Sequence, residues 1–154
     1  MEINIILFIN LLLYAVLVSQ SFAYIIALSN MQKNLSAITY IEVRQLLDRN
    51  FRKKYTWVVY MVLLSSTVLS VLCSVQPDCI LFITSIIALG ALIIDVLLAV
   101  KGNMPINAAI NNWTSENYPG NWNEYRNKWF SIYTKRQVAT IIGFLSLLTG
   151  VVFG

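Results

Sequence analysis

The sequence predicts an all-α integral membrane four-helix bundle with helical extensions on one side of the bilayer. Three observations carry that prediction. Apolar runs are long enough to span a bilayer, charge is confined to two stretches between them, and polar residues recur at helical spacing within and beside the runs. Hydrophobic residues make up 58% of the 154 positions and charged ones 12%, and the mean hydropathy is +0.68, a composition of membrane chains rather than soluble domains. Four spans of ~20 residues would use about half the chain, which fits one membrane domain over residues 1–154.

The first apolar run, about 3–28, is long enough to cross with some tilt. Its start, Met1-Glu2, lacks the basic region of a secretory signal, so it reads as a retained helix. Asn10, Tyr14, Ser21 and Tyr24, spaced 4, 7 and 3, share one face. Polar groups in a span turn to the bundle interior, where they either bond between helices or wall a pocket.

From 35 to 54 the chain reads as an amphipathic helix that Asn34 or Ser36 would cap. Its apolar stripe is Tyr40, Val43, Leu47, Phe51 and Tyr55, with Glu42, Arg44, Asp48, Arg49 and Arg52 mostly elsewhere. It leads into a second span, about 55–75, and the sequence leaves open a break near Asn50. Arg52-Lys53-Lys54 followed by Tyr55 and Trp57 has the character of an interfacial anchor. Gln76-Pro77-Asp78 predicts a tight turn with Asp78 capping the third span, about 79–100.

After Gly102, Asn103 is expected to cap a short helix that starts at Pro105 and runs to about Trp113. Tyr118-Pro119-Gly120 turns the chain. A second long helix then carries Trp122, Arg126, Trp129, Tyr133 and Arg136 at spacings of 4, 3, 4 and 3 and enters the fourth span, about 137–153. Residues 103–136 thus form a polar, aromatic helical segment. As one helix, 122–153 would measure ~48 Å against a hydrocarbon core of ~30 Å, so its first turns stand outside the membrane, packed on the 35–54 helix. Ala139, Gly143, Ser146, Gly150 and Gly154 form a small-residue stripe in the last span, suited to close helix packing within the bundle or to a homo-oligomer seam.

The net charge of +4 is not read as nucleic-acid binding. Every Lys and Arg lies in 33–54 or 101–136, flanking apolar runs, where such residues set topology and meet lipid headgroups, and no basic motif of the known nucleic-acid modules appears. The first long segment holds six basic residues and the second five. By the positive-inside rule both are cytoplasmic, with both termini and the Pro77 turn outside, as in a bacterial inner membrane. Cys73 and Cys79 bracket that outer turn. In an oxidising space they would form a disulfide; otherwise they read as buried apolar thiols.

The absence of histidine removes His-ligated metals and any His general base, and no metal or cofactor is expected. Asp95, inside Ile93-Ile94-Asp95-Val96-Leu97-Leu98, is the one ionisable residue well within a span. Burial of an unpaired carboxylate is costly, and Arg136 opens the fourth span at comparable depth, so an Asp95–Arg136 pair is expected. That pair either fixes helix register or places a base in a pocket. Asn103-x-Pro-x-Asn107 sets two amides one turn apart, with Asn107 placed to donate to a ligand oxygen.

Asn103-x-Pro-x-Asn107, a following tryptophan (Trp113), the run Trp122, Arg126 and Trp129, and Arg136 at the head of the last span together resemble the anthrone oxygenase-like family of small four-span membrane proteins, long known as a domain of unknown function. The resemblance covers residues 101–140. It implies a four-helix membrane bundle and, in characterised members, oxidation of a polycyclic anthrone to a quinone by O₂ without metal or flavin. Such chemistry needs a base, donors for an oxyanion and a dry aromatic cavity. Asp95 would be the base and Asn103, Asn107 and Arg136 the donors. Tyr14, Tyr24, Trp113, Trp122 and Trp129 would line the ligand site, although the aromatics also suit an interfacial belt. The expectation is therefore a membrane protein that binds an apolar aromatic or quinone-like molecule at the cytoplasmic end of its bundle, with oxygenase activity implied by the resemblance. The alternative is a non-catalytic membrane subunit whose cytoplasmic helices dock a protein partner.

Overall fold

The computed structural model describes residues 2–75 and 79–154, with side chains for 3–75 and 80–154. Helix α1 (Glu2–Ala23) passes through a π-helical turn at Tyr24–Leu28 and ends as α2 (Ser29–Lys33). A short turn leads to α3 (Ala37–Ser74). The third rod is α4 (Cys79–Leu98), a second π-helical turn at Ala99–Asn103 and α5 (Met104–Asn111). After a loop comes α6 (Trp122–Phe153). No strand occurs among the described residues. Four rods are long and apolar enough to cross a membrane, and the chain is an all-α integral membrane four-helix bundle. The expected Gln76-Pro77-Asp78 turn lies outside the described residues.

Neither Gly nor Pro occurs between Glu2 and Ser74, so nothing in that stretch forces a kink. Ser36 ends the first connection: its hydroxyl accepts from the Thr39 N–H at 3.5 Å and pairs with the Thr39 hydroxyl at 2.9 Å. Helix α3 continues without a break at Asn50, whose side-chain amide donates back to the Leu46 carbonyl at 3.0 Å and so needs no turn to satisfy it. At 1.5 Å per residue, its 38 residues measure ~57 Å and the 32 of α6 ~48 Å. Both therefore run well past a hydrocarbon core of ~30 Å, and their extensions pack with α5 into a cap at one end of the bundle.

The third rod departs from expectation. Gly102 and Asn103 do not separate a span from a short helix; the chain stays helical through a wide turn closed by the Met104 N–H on the Ala99 carbonyl. No glycine has positive φ, so Gly102 is not a left-handed helix stop. Its missing Cβ serves packing instead, since one built there would lie 2.7 Å from Ile132 Cγ2.

Two cores result. In the bundle, Tyr14, Leu17, Val62, Leu69, Ala88, Leu92 and Leu147 are buried together. Helices α4 and α6 make the most extensive pairing. The small-residue stripe allows this approach: a Cβ at Gly143 would lie 3.2 Å from Ala91 Cβ on α4 and collide with Tyr14 Oη on α1, and one at Gly150 would collide with Thr84 Oγ1 on α4. Ala139, Gly143 and Gly150 are buried within the bundle, while Ser146 is half-buried. Asn10 donates to Ser65 and Ser66, both at 2.8 Å, and Ser21 pairs with Thr140 at 2.9 Å. In the cap, Tyr24, Tyr40, Ile41, Ile106, Ile110, Trp129, Phe130 and Tyr133 form the second core.

Candidate functional site

The residues singled out by the sequence fall into two adjoining polar clusters where the cap meets the bundle. In the first, Asp95 on α4 is 1% exposed and takes two bonds from Arg136 on α6, Nε to Oδ1 at 2.7 Å and Nη2 to Oδ2 at 3.4 Å. This is the only ion pair among the described residues. Arg136 Nη1 also donates to Asn103 Oδ1 at 3.4 Å, and Asn103 Nδ2 donates to the Trp129 carbonyl at 3.0 Å. Asn103 is therefore not a helix cap, as its backbone is already helical and makes no capping bond. Its amide ties the third rod to α6 at two points, the Arg136 side chain and the Trp129 carbonyl, because the extra residue of the wide turn rotates this position by about 100°. Fork-to-carboxylate geometry with a third partner is what a buried pair requires to offset its desolvation.

Asn107 does not join Asp95. One turn further along, its Oδ1 accepts from Arg44 Nη2 at 3.0 Å and from Trp129 Nε1 at 2.9 Å, while its Nδ2 donates to Asp48 Oδ1 at 3.0 Å. Asp48 Oδ2 accepts from Asn111 at 2.8 Å. The carboxylate thus reaches Arg44 only through an amide relay. Arg44, 5% exposed, places its guanidinium carbon 3.9 Å from the Trp129 ring centroid, a close cation–π contact, and donates to the Tyr24 hydroxyl at 3.2 Å. The amphipathic pattern of 35–54 sets Arg44 off the buried stripe, yet it is buried. The usable signal was that Tyr40, Arg44 and Asp48 recur every four residues and so share a face. Gln32, Tyr40 and Gln45 were also missed; Gln45 holds α5 by donating to the Ile110 and Trp113 carbonyls, both at 2.9 Å.

Four of the five proposed lining aromatics lie in the cap. Tyr24 stands 5.8 Å from Trp129 and 4.6 Å from Tyr133, which itself stacks on Trp129 at 4.8 Å. Trp122 pairs with Tyr40 at 6.0 Å, and Trp113 meets Tyr125 edge-on at 5.1 Å. Tyr14 does not belong with them. Ten residues before Tyr24, and so ~15 Å deeper along the helix, it donates to the Ala88 carbonyl at 3.1 Å and fills the space left by Gly143. Cys73 is buried in the bundle core, and the side chain of Cys79, with which it would pair in an oxidising space, lies outside the described residues.

Around Tyr40 the bonding is incomplete. Its hydroxyl, Gln32 Oε1, Arg44 Nε and Arg126 Nε are buried without a hydrogen-bond partner. Arg126 lies over Trp122 at 4.6 Å and Tyr40 at 5.8 Å and donates to the Leu35 carbonyl at 3.3 Å. Burial pushes the Tyr40 phenol up to about 12, against the opposing pull of Arg44 and Arg126. Two guanidinium groups thus flank a neutral phenol with no carboxylate in contact. Two surface grooves lie beside these clusters: one of about 630 Å³ along α3, reached at its upper end by Gln45, Asp48 and Asn111, the other of about 550 Å³ between α4 and α6. Neither is lined by Asp95, Asn103, Asn107 or Arg136.

Comparison of the chain with protein-family models, with curated proteins and with solved structures finds no match.

Proposed function

We infer that the cap binds a small aromatic molecule carrying an anionic or carbonyl oxygen, of quinone-like chemistry, between Tyr40, Arg44 and Arg126. One observation carries this reading: three unsatisfied donors and the Gln32 acceptor are buried among aromatic rings, and buried polar groups without partners are rare and costly. An oxygen of the ligand would accept hydrogen bonds from the Tyr40 hydroxyl and the arginine Nε groups, and its ring would lie on Trp122 or Trp129. Access requires the loop between α5 and α6 to swing away; its own bonds, such as Thr114 with Asn117 and the Trp122 N–H on Pro119, are mostly local. Asp95 has both oxygens held by Arg136, so we assign it to fixing the register of α4 and α6 rather than to proton abstraction. The resemblance to anthrone oxygenase-like proteins supports the ligand class.

The test is quenching of tryptophan fluorescence in the detergent-purified protein by 2-hydroxy-1,4-naphthoquinone, with mass spectrometry for co-extracted aromatics. The expected result is saturable quenching that weakens about tenfold in Arg126→Gln, the loss of one charge-assisted bond. Non-saturable quenching, or equal affinity in wild type and Arg126→Gln with no co-extracted aromatic, overturns the reading.

The flanking charge further supports a cap in the cytoplasm of a bacterial inner membrane with both termini outside. With both native thiols removed (Cys73→Ala/Cys79→Ala), an impermeant maleimide should then label Glu116→Cys only after lysis, and labelling of intact cells reverses the orientation.

A further inference from the structure

The groove along α3 begins where Gln45 and Asp48 meet Asn111 of α5 and continues down an exposed stripe of α3. Arg49, Arg52, Lys53, Thr56, Trp57 and Tyr60 line it at spacings of 3, 1, 3, 1 and 3, the pattern of one stripe on an α-helix. All six are exposed. Asp48 lines the groove's upper end, one oxygen held by Asn107 and the other by Asn111; these neutral amides leave its charge in place, so the groove sets three cations against one carboxylate and stays positive. Trp57 and Tyr60 meet edge-on, 6.2 Å apart, with large exposed surfaces of 63% and 58%. Amphipathic rings in this arrangement belong at the level of lipid headgroups. Below them the same face continues as exposed Leu64, Val68, Val71 and Val75, an apolar track that only acyl chains would cover in a membrane.

We propose that this groove is a specific site for an anionic phospholipid, whose phosphate sits among Arg49, Arg52 and Lys53 and whose chains run down the Leu64–Val75 face. Position and charge argue together. Arg49 to Tyr60 spans ~16 Å of helix, enough to reach from the outer edge of the headgroup layer into the top of the hydrocarbon. Basic residues at that depth attract anionic lipid, while the aromatic pair wedges beside the glycerol region. Arginine offers a fork that matches phosphate oxygens. The site shares no residue with the ligand site around Tyr40 and stands or falls separately.

Native mass spectrometry of the full chain released from detergent, with phosphatidylglycerol or phosphatidylcholine added in equal amounts, tests the proposal. Retention of phosphatidylglycerol should exceed that of phosphatidylcholine about tenfold or more, and Arg49→Gln/Arg52→Gln/Lys53→Gln should abolish the difference. Lys33→Gln/Lys101→Gln/Lys128→Gln removes as much charge from exposed positions elsewhere and should preserve it. Equal retention of the two lipids, equal loss in both triple variants, or displacement of the lipid by millimolar inorganic phosphate would overturn the assignment; the last would give the groove to a free anion.

Discussion

The bundle and the cap are built from the same four rods, yet they hold together differently. In the bundle the contacts are small and close: Gly143 under Tyr14, Gly150 under Thr84, Asn10 between two serines. In the cap they are large and polarised, with Trp129 under Arg44, Tyr24 against Tyr133, and Trp122 beneath Arg126. The cause is the surrounding medium. Lipid is as apolar as leucine, so helices in it gain from close backbone approach and from hydrogen bonds, not from hiding hydrocarbon. Outside the lipid, burial of aromatic surface is the main driving force, and the cap uses it. The Asp95–Arg136 pair sits at the seam, where a charge needs a partner from either side.

That contrast can be broken first at the seam. Asp95→Asn leaves Arg136 buried without its counter-charge and should destabilise the protein by about 3–5 kcal/mol, while Asp95→Asn with Arg136→Gln should recover much of the loss. Thermal melting in detergent measures both, and an unshifted midpoint in the single variant would remove the pair from the account. In the cap, Asn107→Ala strips partners from Arg44, Trp129 and Asp48 at once and should cost about 1–3 kcal/mol. Limited proteolysis should then cut the α5–α6 loop before the spans. In the bundle, Gly143→Ala should cost a similar or smaller amount, about 1–3 kcal/mol, by overpacking. Because the nearest clash is with the phenolic oxygen, Tyr14→Phe should relieve part of it, giving non-additive melting shifts in a double-mutant cycle.

The smallest effect concerns pH. The phenol of Tyr40 is raised from 10.0 to about 12 by burial, so the folded state holds its proton more tightly than the unfolded state does. That contribution is complete below pH 10 and fades as pH climbs toward about 12. Tyr40→Phe should flatten this part of the melting-versus-pH curve, and at neutral pH it should melt at or slightly above wild type, since the hydroxyl it removes has no partner. Identical slopes in the two proteins would show that Tyr40 does not titrate in this range.

The four rods, the long extensions and the Asp95–Arg136 pair were legible because each is written in composition and spacing: a lone acid in an apolar run has few places to go. The partner of Asn107 was not. Asn103 and Asn107 look equivalent on paper, one turn apart near Asp95, but a wide turn at Ala99–Asn103 shifts the phase of both relative to Asp95, and the ~6 Å of helical rise between them leaves Asn103 on Arg136 and Asn107 on Arg44. Nothing in Ala99-Val100-Lys101-Gly102-Asn103 announces such a turn. Arg44 escaped for a second reason, since charge on an amphipathic helix is ordinarily solvated, and its burial rests on Tyr24, Asn107 and Trp129, all distant in the chain.

The wide turn in the third rod makes residue count as consequential there as residue identity. Removing a single position from 99–103 would leave an ordinary α-helix of unchanged polarity, yet swing both asparagines about 100° away from their arginines. A one-residue deletion there should uncouple cap from bundle more thoroughly than most point substitutions, so this five-residue stretch is the chain's least forgiving place to shorten.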